Sequence, residues 1–340
     1  MSRISILSAD LAFDCDDHDT IMRAAVRAGL QFPYECNVGS CGNCRFELIE
    51  GDVIHERRDS PAWSDRDRAR NRYLGCQARP LANCTIKVRL EREGTTGEIL
   101  RPRKNRATLI TVRDITHDIR EFRFSLERPA PFFSGQYALL QLPAVEGARA
   151  YSMSNTGEVG QEWHFQIKLV PGGIATDHLF HHLRPGSVID VDGPYGKAFL
   201  REESPRDILC IAGGSGLSPM MSIARKAATS PALAKQQIHF IYGGRYARDI
   251  CGEPMLRELP GFGVRLHYHP AVSMPNDDSL PERWEGRIGF VHDIAQELFP
   301  ERLADFEVYF AGPPPMVDAL MRMLIAAKVP PAQIHYDQFY

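Results

Sequence analysis

In Cys36-Asn-Val-Gly-Ser-Cys41-Gly-Asn-Cys44, three cysteines follow one another with C-x4-C-x2-C spacing, and a fourth, Cys76, stands alone 32 positions later. This spacing matches the plant-type pattern of ligands for a [2Fe–2S] cluster, in which each iron needs two thiolates. The small residues and glycines between the cysteines let the backbone fold closely around a cluster and point N–H groups at its sulfurs. The sequence therefore predicts that Cys36, Cys41, Cys44 and Cys76 hold a [2Fe–2S] cluster.

Two other uses of these cysteines stay open at this point. Four thiolates also form structural zinc sites, and the C-x2-C spacing of Cys41 and Cys44 also occurs in redox disulfides. Structural zinc sites usually pair two C-x2-C knuckles, however, and Cys76 has no second cysteine near it. A disulfide framework is not expected in a chain without a secretory signal.

Length and composition limit the class of protein. A chain of 340 residues is long enough for two or three domains. Its formal net charge of −3 gives no indication of a nucleic-acid or membrane partner. The N-terminus lacks the apolar core of a signal peptide, and the chain has no apolar run long enough to span a membrane. We therefore expect a cytoplasmic protein that binds neither nucleic acid nor a membrane. We also expect it to be a monomer.

Three segments differ in their patterns of secondary structure. Residues 1–98 combine short strands with one helix, as in a small α+β roll of the β-grasp type, and their charged run 65–73 is expected to be helical. Residues 99–200 are rich in short strands and turn signals, which indicates an antiparallel β-barrel. Residues 201–340 alternate apolar strands with helices, which predicts a doubly wound parallel sheet. The polar stretch 92–105 is interpreted as a linker.

Two loops in the third segment follow apolar strands. Gly213-Gly214-Ser215-Gly216 comes after the first strand, and Gly312-Pro313-Pro314 comes after a later one. Ligands of open α/β sheets bind at the carboxyl ends of the strands, so both loops are candidates for a nucleotide site. The first loop departs from the G-x-G-x-x-G fingerprint because Pro219 stands in place of the last glycine. Taken alone, each loop is equally well explained as an ordinary turn between a strand and a helix.

The second segment contains two short motifs that suit a flavin nucleotide. In the first, Arg149 would pair with a pyrophosphate, Tyr151 would stack on the flavin ring, and Ser152 would hydrogen-bond near its reactive nitrogen. In the second, Gly173 and Thr176 precede a helix, and a helix N-terminus attracts anions. Taken alone, an exposed arginine beside a strand tyrosine and an ordinary turn with an N-cap explain these residues as well.

The ordered set of motifs resembles a known family. It is similar to the ferredoxin–NADP⁺ reductase superfamily fused to an N-terminal plant-type ferredoxin domain. More narrowly, it resembles the reductase components of soluble diiron monooxygenases that act on toluene, alkenes or isoprene. Residues 32–36 and 334–340 carry the narrower resemblance, and the likeness covers nearly the whole chain.

This resemblance implies roles for individual residues. FAD would be bound by Arg149, Tyr151 and Ser152, with help from Lys168, Gly173 and Thr176. The nicotinamide nucleotide would lie against Gly214, Ser215 and Gly216 on one side and Gly312, Pro313 and Pro314 on the other. Ser152 and Tyr340 would act at the flavin ring, which Tyr340 would cover. Arg245 lies where NADPH enzymes bind the 2′-phosphate, but no second basic partner follows it directly, so NADH is expected rather than NADPH.

The resemblance also implies a function. NADH would deliver a hydride to FAD, and single electrons would pass through the [2Fe–2S] cluster to a diiron monooxygenase hydroxylase or to its Rieske ferredoxin. A partner protein would contact the cysteine loop, residues 37–43. Two alternatives stay open: the reductase of a ring-hydroxylating dioxygenase, and a non-catalytic binding protein stabilised by zinc.

Overall fold

The computed structural model describes residues 1–7, 9–91, 100–275 and 283–338, which form three large sheets and one small two-stranded sheet. Each large sheet lies in one of the three segments that the sequence separates. The predicted fold class is confirmed: a ferredoxin-type α+β domain, a nearly closed antiparallel barrel and a parallel-sheet domain. The predicted boundary between residues 98 and 99 lies outside the described residues. The boundary between 200 and 201 falls between strands of different sheets, and both boundaries stay predictions.

The first domain wraps a mixed five-stranded sheet around one helix. β1 pairs antiparallel with β2 and parallel with β7, and the strand order is β2-β1-β7-β3-β5. The apolar side chains of α1 pack into its core. The elements are β1 (Ser2–Ile6), β2 (Leu11–Cys15), α1 (Ile21–Arg27), β3 (Arg45–Glu50), β4 (Val53–His55), α2 (Asp65–Arg68), β5 (Arg72–Leu74), β6 (Ala78–Pro80) and β7 (Cys84–Lys87).

The prediction of a helix over residues 65–73 was wrong for its second half. α2 begins after the capping box of Ser64 and Asp67 but ends at Arg68. Asn71 then takes a positive φ of 50°, which a right-handed helix does not allow. β5 follows and pairs antiparallel with β3, so tertiary pairing overrides the helical tendency of this charged run.

The second domain is a six-stranded antiparallel barrel with the order β11-β10-β13-β8-β9-β12. Trp163, Phe122, Phe124 and Phe165 fill its core. The last three residues of the predicted linker 92–105 belong to strand β8. Residues 92–99 of that linker lie outside the described part of the chain. The elements are β8 (Arg103–Asp114), β9 (Ile119–Leu126), β10 (Tyr137–Gln141), β11 (Arg149–Ser152), β12 (Glu162–Lys168), α3 (Ile174–Asp177) and β13 (Val188–Tyr195).

The third domain has six parallel strands in the order β17-β16-β15-β14-β18-β19, with helices on both faces. The central strands β14 and β18 are buried almost throughout, as parallel strands covered on both faces must be. The elements are β14 (Asp207–Gly213), α4 (Leu217–Thr229), β15 (Ile238–Gly244), α5 (Glu253–Arg257), β16 (Leu266–Val272), β17 (Arg287–Ile288), α6 (Val291–Leu298), β18 (Phe306–Gly312), α7 (Pro314–Ala326) and β19 (Ile334–Gln338). Within the described ranges, none of the helices is long and apolar enough to cross a membrane.

Candidate functional site

The loop between α1 and β3 brings the four cysteines together. Asn37, Gly39 and Gly42 take positive φ angles of 56°, 83° and 82°, which turn the loop back on itself. At Gly39, a Cβ atom would lie 2.6 Å from Ser60 Oγ, so the close approach of the backbone requires glycine. Arg23 of α1 fixes the loop, because its Nε donates to Asn37 Oδ1 at 2.9 Å and its Nη2 donates to Asn37 O at 3.1 Å.

The thiols form two pairs. The Sγ atoms of Cys44 and Cys76 are buried and 3.3 Å apart, and Cys36 pairs with Cys41 at the half-exposed side of the loop. Cys36 Sγ also accepts hydrogen bonds from the backbone N–H groups of Ser40 and Cys41, each at 3.3 Å. The hydrogen bond from Cys41 lowers the pKa of Cys36, and the hydrogen bond from Cys44 lowers the pKa of Cys76. One sulfur of each pair is thus held toward the thiolate form that binds metal.

This arrangement fits a [2Fe–2S] cluster. All eight cysteines of the chain lie in the described ranges and are free thiols, so none of the four is used in a disulfide. Two pairs of sulfurs match two irons that take two protein thiolates each, and the backbone donors match the hydrogen bonds such clusters receive.

Strand β11 carries the predicted flavin residues Arg149, Tyr151 and Ser152. Because side chains alternate along a strand, Arg149 and Tyr151 share one face and Ser152 lies on the other. Arg149 Nη1 donates to the carbonyl oxygens of Glu146 at 3.0 Å and Gly147 at 3.1 Å, which holds the guanidinium on the preceding loop. Burial raises the pKa of Tyr151 to about 12, so this hydroxyl stays protonated. Contact of these residues with FAD stays a prediction.

The other predicted flavin residues divide into two groups. Lys168 Nζ lies 2.6 Å from Asp118 Oδ2, and its side chain borders the nucleotide loop, since a Cβ on Gly214 would be 3.5 Å from Lys168 Cδ. Thr176 Oγ1 instead donates to the carbonyl of Gly173 at 3.1 Å, within its own turn. The structure therefore places Lys168 beside the predicted nucleotide loop and Thr176 in the turn that starts α3, and contact of Lys168, Gly173 and Thr176 with FAD stays a prediction.

The two predicted nucleotide loops lie side by side. Gly214, Ser215 and Gly216 form a 3-10 turn from β14 into α4, whereas Gly312, Pro313 and Pro314 lead from β18 into α7. β14 and β18 are adjacent and parallel, so both loops lie at the carboxyl edge of the sheet. A Cβ atom on Gly213 or on Gly312 would lie 2.7 or 2.8 Å from the same sulfur, that of Met316.

Arg245 and Tyr340 have different outcomes. Arg245 follows β15 at the same sheet edge and is exposed, and its backbone N–H donates to Asp249 Oδ2 at 3.0 Å. The carboxylate of Asp249 therefore lies in the same turn as Arg245, the residue at the position where a 2′-phosphate would bind. Tyr340 lies outside the described residues, so its proposed position over the flavin ring stays a prediction.

Two further residues, Ser218 and Tyr137, join the site to its neighbours and were not predicted from the sequence. Ser218 of α4 donates its Oγ–H to Ser152 O at 2.7 Å and accepts the backbone N–H of Gln166 at 3.1 Å. Tyr137 lies opposite Ser152 in the barrel and bonds to Glu35 of the first domain. Single serines and tyrosines in regular elements leave no local pattern, so sequence reasoning had no signal for them.

Comparison with known protein families agrees with this division into three parts. Residues 5–81 match a 2Fe-2S iron-sulfur cluster binding domain, residues 106–199 match an oxidoreductase FAD-binding domain, and residues 210–322 match an oxidoreductase NAD-binding domain. The first match favours the [2Fe–2S] interpretation of the four cysteines over zinc. The chain is 37% identical over 328 residues to the ferredoxin–NAD(P)⁺ reductase CarAd of Metapseudomonas resinovorans, with 96% of each chain covered.

The chain belongs to the ferredoxin–NAD(P)⁺ reductase family. It is also 32% identical to the reductase component DmpP of phenol 2-monooxygenase from Pseudomonas sp. strain CF600, over 96% of this chain and 91% of that protein. The solved structure of the ferredoxin reductase in carbazole 1,9a-dioxygenase superposes with a TM-score of 0.90 at 34% identity, covering 100% of this chain and 98% of that one. This reductase is thus an oxidoreductase with [2Fe–2S], FAD and NAD(P) domains, as predicted.

Proposed function

We propose that the reductase oxidises NADH in the cytoplasm, as a monomer, and supplies single electrons to a diiron monooxygenase hydroxylase or to its Rieske ferredoxin. The observation that carries this proposal is the position of the flavin strand β11. Its neighbour β10 contacts the cysteine domain, and its own carbonyl at Ser152 contacts α4 of the nucleotide domain. Similarity to the phenol 2-monooxygenase reductase component supports the hydroxylase as the acceptor.

When bound, FAD takes a hydride from the nucleotide, and the cluster exchanges one electron at a time. The chain binds and orients these groups. Arg149, Tyr151 and Ser152 would hold FAD on β11, and Cys36, Cys41, Cys44 and Cys76 would hold the cluster. Lys168 would place a positive charge beside the loop of residues 214–216, where a pyrophosphate would lie.

The turn after β15 supports NADH as the coenzyme. Asp249 accepts the backbone N–H groups of Arg245 and Tyr246, each at 3.0 Å, so its carboxylate is fixed in this turn. A fixed carboxylate repels the 2′-phosphate of NADPH and suits the 2′-hydroxyl of NADH. Steady-state kinetics with both nucleotides test this proposal: kcat/KM is expected to be higher for NADH, and a preference for NADPH would contradict it.

Basic side chains surround the proposed exit for electrons. Arg45 and Arg57 are each about 40% exposed, and they donate to the carbonyls of Gly42 and Val38 in the cysteine loop at 3.3 Å. Arg45 also lines a shallow cavity of about 630 Å³, whose charged lining consists of four basic residues and one acid: Arg45, Arg72, Lys87, Arg89 and Glu47. The acceptor would therefore present acidic side chains to this face.

Charge reversal tests the docking face. We expect Arg89→Glu to slow electron transfer to the acceptor at low salt, with no effect on the rate at which NADH reduces the flavin, which needs no docking of the acceptor. Arg106→Glu, a change at another exposed arginine, on the barrel strand β8, serves as the control and should leave both reactions unchanged. Equal effects of the two variants on transfer to the acceptor would argue against this surface.

The spectrum of the purified protein and reconstitution test the proposed function. We expect flavin absorption, a broad charge-transfer shoulder from the cluster, and about two irons and one FAD per chain. NADH should then drive hydroxylation when the reductase is mixed with a purified diiron hydroxylase, with or without a Rieske ferredoxin. A colourless protein would overturn the proposal.

A ring-hydroxylating dioxygenase is the second candidate acceptor. It is favoured by the close superposition on the ferredoxin reductase in carbazole 1,9a-dioxygenase. Reconstitution with a dioxygenase terminal component in parallel decides between the two, because the true acceptor gives NADH-coupled turnover at a low reductase concentration.

A further inference from the structure

One hydrogen bond links the barrel to the peptide group that precedes the first cysteine, Cys36. Tyr137 of β10 is 5% exposed, and its hydroxyl donates to the carbonyl oxygen of Glu35. That carbonyl belongs to the peptide bond that Glu35 shares with Cys36. Burial raises the pKa of Tyr137 well above its usual value, so the hydroxyl remains a donor at any physiological pH.

The other end of Tyr137 lies at the predicted flavin site. In the antiparallel pair of β10 and β11, Tyr137 stands directly opposite Ser152. Ser152 O in turn accepts the hydroxyl of Ser218, at the start of α4 in the nucleotide domain. A short series of neighbouring groups therefore joins the nucleotide domain to the peptide of Cys36, and within this series it is the side chain of Tyr137 that makes the last contact.

The surroundings of Tyr137 hold its ring in one position. Tyr195 stacks on it with ring centroids 6.0 Å apart, and the hydroxyl of Tyr195 donates to Asp192 Oδ2 at 3.0 Å. Asp192 is itself paired with Arg27 of the first domain at 2.7 Å. Contacts from both domains therefore hold the ring of Tyr137 and its hydroxyl in place. Such support is needed if one side chain is to fix the position of Cys36 relative to the flavin strand β11.

We infer that Tyr137 is a positioning residue for electron transfer, whose hydroxyl fixes the peptide of Cys36 relative to the flavin strand. This inference rests on the proposed function. Tyr137 acts by holding Cys36 and Ser152 at a constant separation. Its hydrogen bond to Glu35 and the pairing of β10 with β11 together leave little freedom between these two residues.

A second buried tyrosine provides a matched control. Tyr34 also makes a hydrogen bond between these two domains, since its hydroxyl accepts the backbone N–H of Gly196 at 3.2 Å. Like the partner of Tyr137, Tyr34 lies close to the first cysteine, because it precedes Cys36 by two positions. Its partner Gly196, however, follows β13 and is not paired with the strand that carries Ser152. Loss of either hydroxyl weakens the domain contact similarly, but only the loss at Tyr137 interrupts the link to β11.

The test compares Tyr137→Phe with Tyr34→Phe in the flavin- and cluster-loaded protein. Anaerobic stopped-flow mixing with NADH separates flavin reduction from the later reduction of the cluster. For Tyr137→Phe, we expect an unchanged rate of flavin reduction and a cluster reduction slowed about twofold to tenfold, the range that corresponds to the net free energy of one hydrogen bond. The electron paramagnetic resonance spectrum of the dithionite-reduced cluster should also shift, which is independent of turnover. Tyr34→Phe should stay within twofold of the wild-type rate, with an unchanged spectrum.

Several results would overturn the inference. It fails if Tyr137→Phe matches the wild type in both readouts, or if the two variants slow cluster reduction equally. If Tyr137→Phe loses its fold, 3-fluorotyrosine at position 137 replaces it: a stronger donor should shift the spectrum, and no shift would count against the inference. A wild-type protein whose cluster NADH never reduces would instead refute the proposed function, so the two failures are distinguishable.

Discussion

The two junctions of the barrel are built from different chemistry. Toward the first domain, Arg27 makes a bidentate pair with Asp192, both contacts at 2.7 Å, and its Nε donates to Asp19 at 2.7 Å. Toward the nucleotide domain, three side chains of α4 donate to backbone carbonyls of the barrel at 2.7 Å each: Ser218 to Ser152, Ser222 to Asn155, and Arg225 to Ser154.

This difference determines what each junction depends on. The donors of α4 recur at four- and three-residue intervals, so they form one face of the helix, and their acceptors are main-chain atoms that no substitution removes. The first junction depends on buried charges as well as on the hydrogen bonds of Tyr34 and Tyr137, and the desolvation of those charges is repaid only when every partner is present. We therefore expect the attachment of the cysteine domain to be the more easily disrupted by single substitutions.

Arg27→Ala should have the largest effect. It leaves Asp19 and Asp192 buried without their partner, which costs about 3–5 kcal/mol in the free energy of unfolding. Urea unfolding, followed separately by cluster and flavin absorption, measures the loss and should show the cysteine domain released first. A loss below about 1 kcal/mol would mean that the ion cluster does not hold the junction.

The stability difference between wild type and Arg27→Ala should shrink in acid. Burial alone would raise the pKa of Asp192, but the hydrogen bond with Arg27 outweighs it, so the pKa lies below the usual value of 3.8. The contribution of Asp192 is therefore fully present above its unfolded-state pKa and is lost as pH falls through its lower folded-state pKa. Unfolding measured from pH 7 down to pH 3 should show a constant difference at first and a decline below about pH 4.

Ser218→Ala should have an intermediate effect at the other junction. It leaves the carbonyl of Ser152 and the N–H of Gln166 without their partner, at a cost of about 2 kcal/mol. Because no charge is involved, the loss should be the same at low and at high salt. Ser222→Ala, which removes one hydrogen bond, should cost about 1 kcal/mol. A strong dependence of either loss on salt would contradict the contrast between the junctions.

Lys197→Ala should have the smallest effect. Lys197 pairs with Glu91 at 2.6 Å across the first junction, but both side chains are partly exposed. Solvent-screened pairs of this kind contribute less than about 1 kcal/mol, and salt reduces that further. Thermal unfolding measures the effect. A fall in melting temperature as large as that of Arg27→Ala would show that the exposed pair and the buried pair contribute equally to stability.

The parts of the molecule that the sequence predicted are those with local signatures. The four cysteines, the alternation of the barrel strands and the apolar strands before the glycine loops all lie in short stretches of chain. The edge strand β19 was missed: Ile334-His-Tyr-Asp337 alternates apolar and polar residues, but the alternation spans only four residues, the shortest stretch that indicates a strand.

The contacts between domains could not be predicted from the sequence. Arg27 and Asp192 are 165 positions apart, and Tyr137 and Glu35 are 102 apart. Such pairs meet only after three sheets have formed and docked, and neither member differs locally from an ordinary surface charge or strand tyrosine. Arg149 shows the same limit, because its predicted role did not reveal that the guanidinium rests on its own loop.

The central claim is that electrons leave the flavin through the cysteine loop. Anaerobic mixing of NADH with wild type and with Cys41→Ser tests it most directly, with flavin absorbance and the paramagnetic signal of the reduced cluster as readouts. We expect both proteins to reduce their flavin at the same rate, but only the wild type to show the cluster signal and reduce the protein acceptor. A folded, flavin-loaded Cys41→Ser protein that still reduces the acceptor at the wild-type rate would contradict the account.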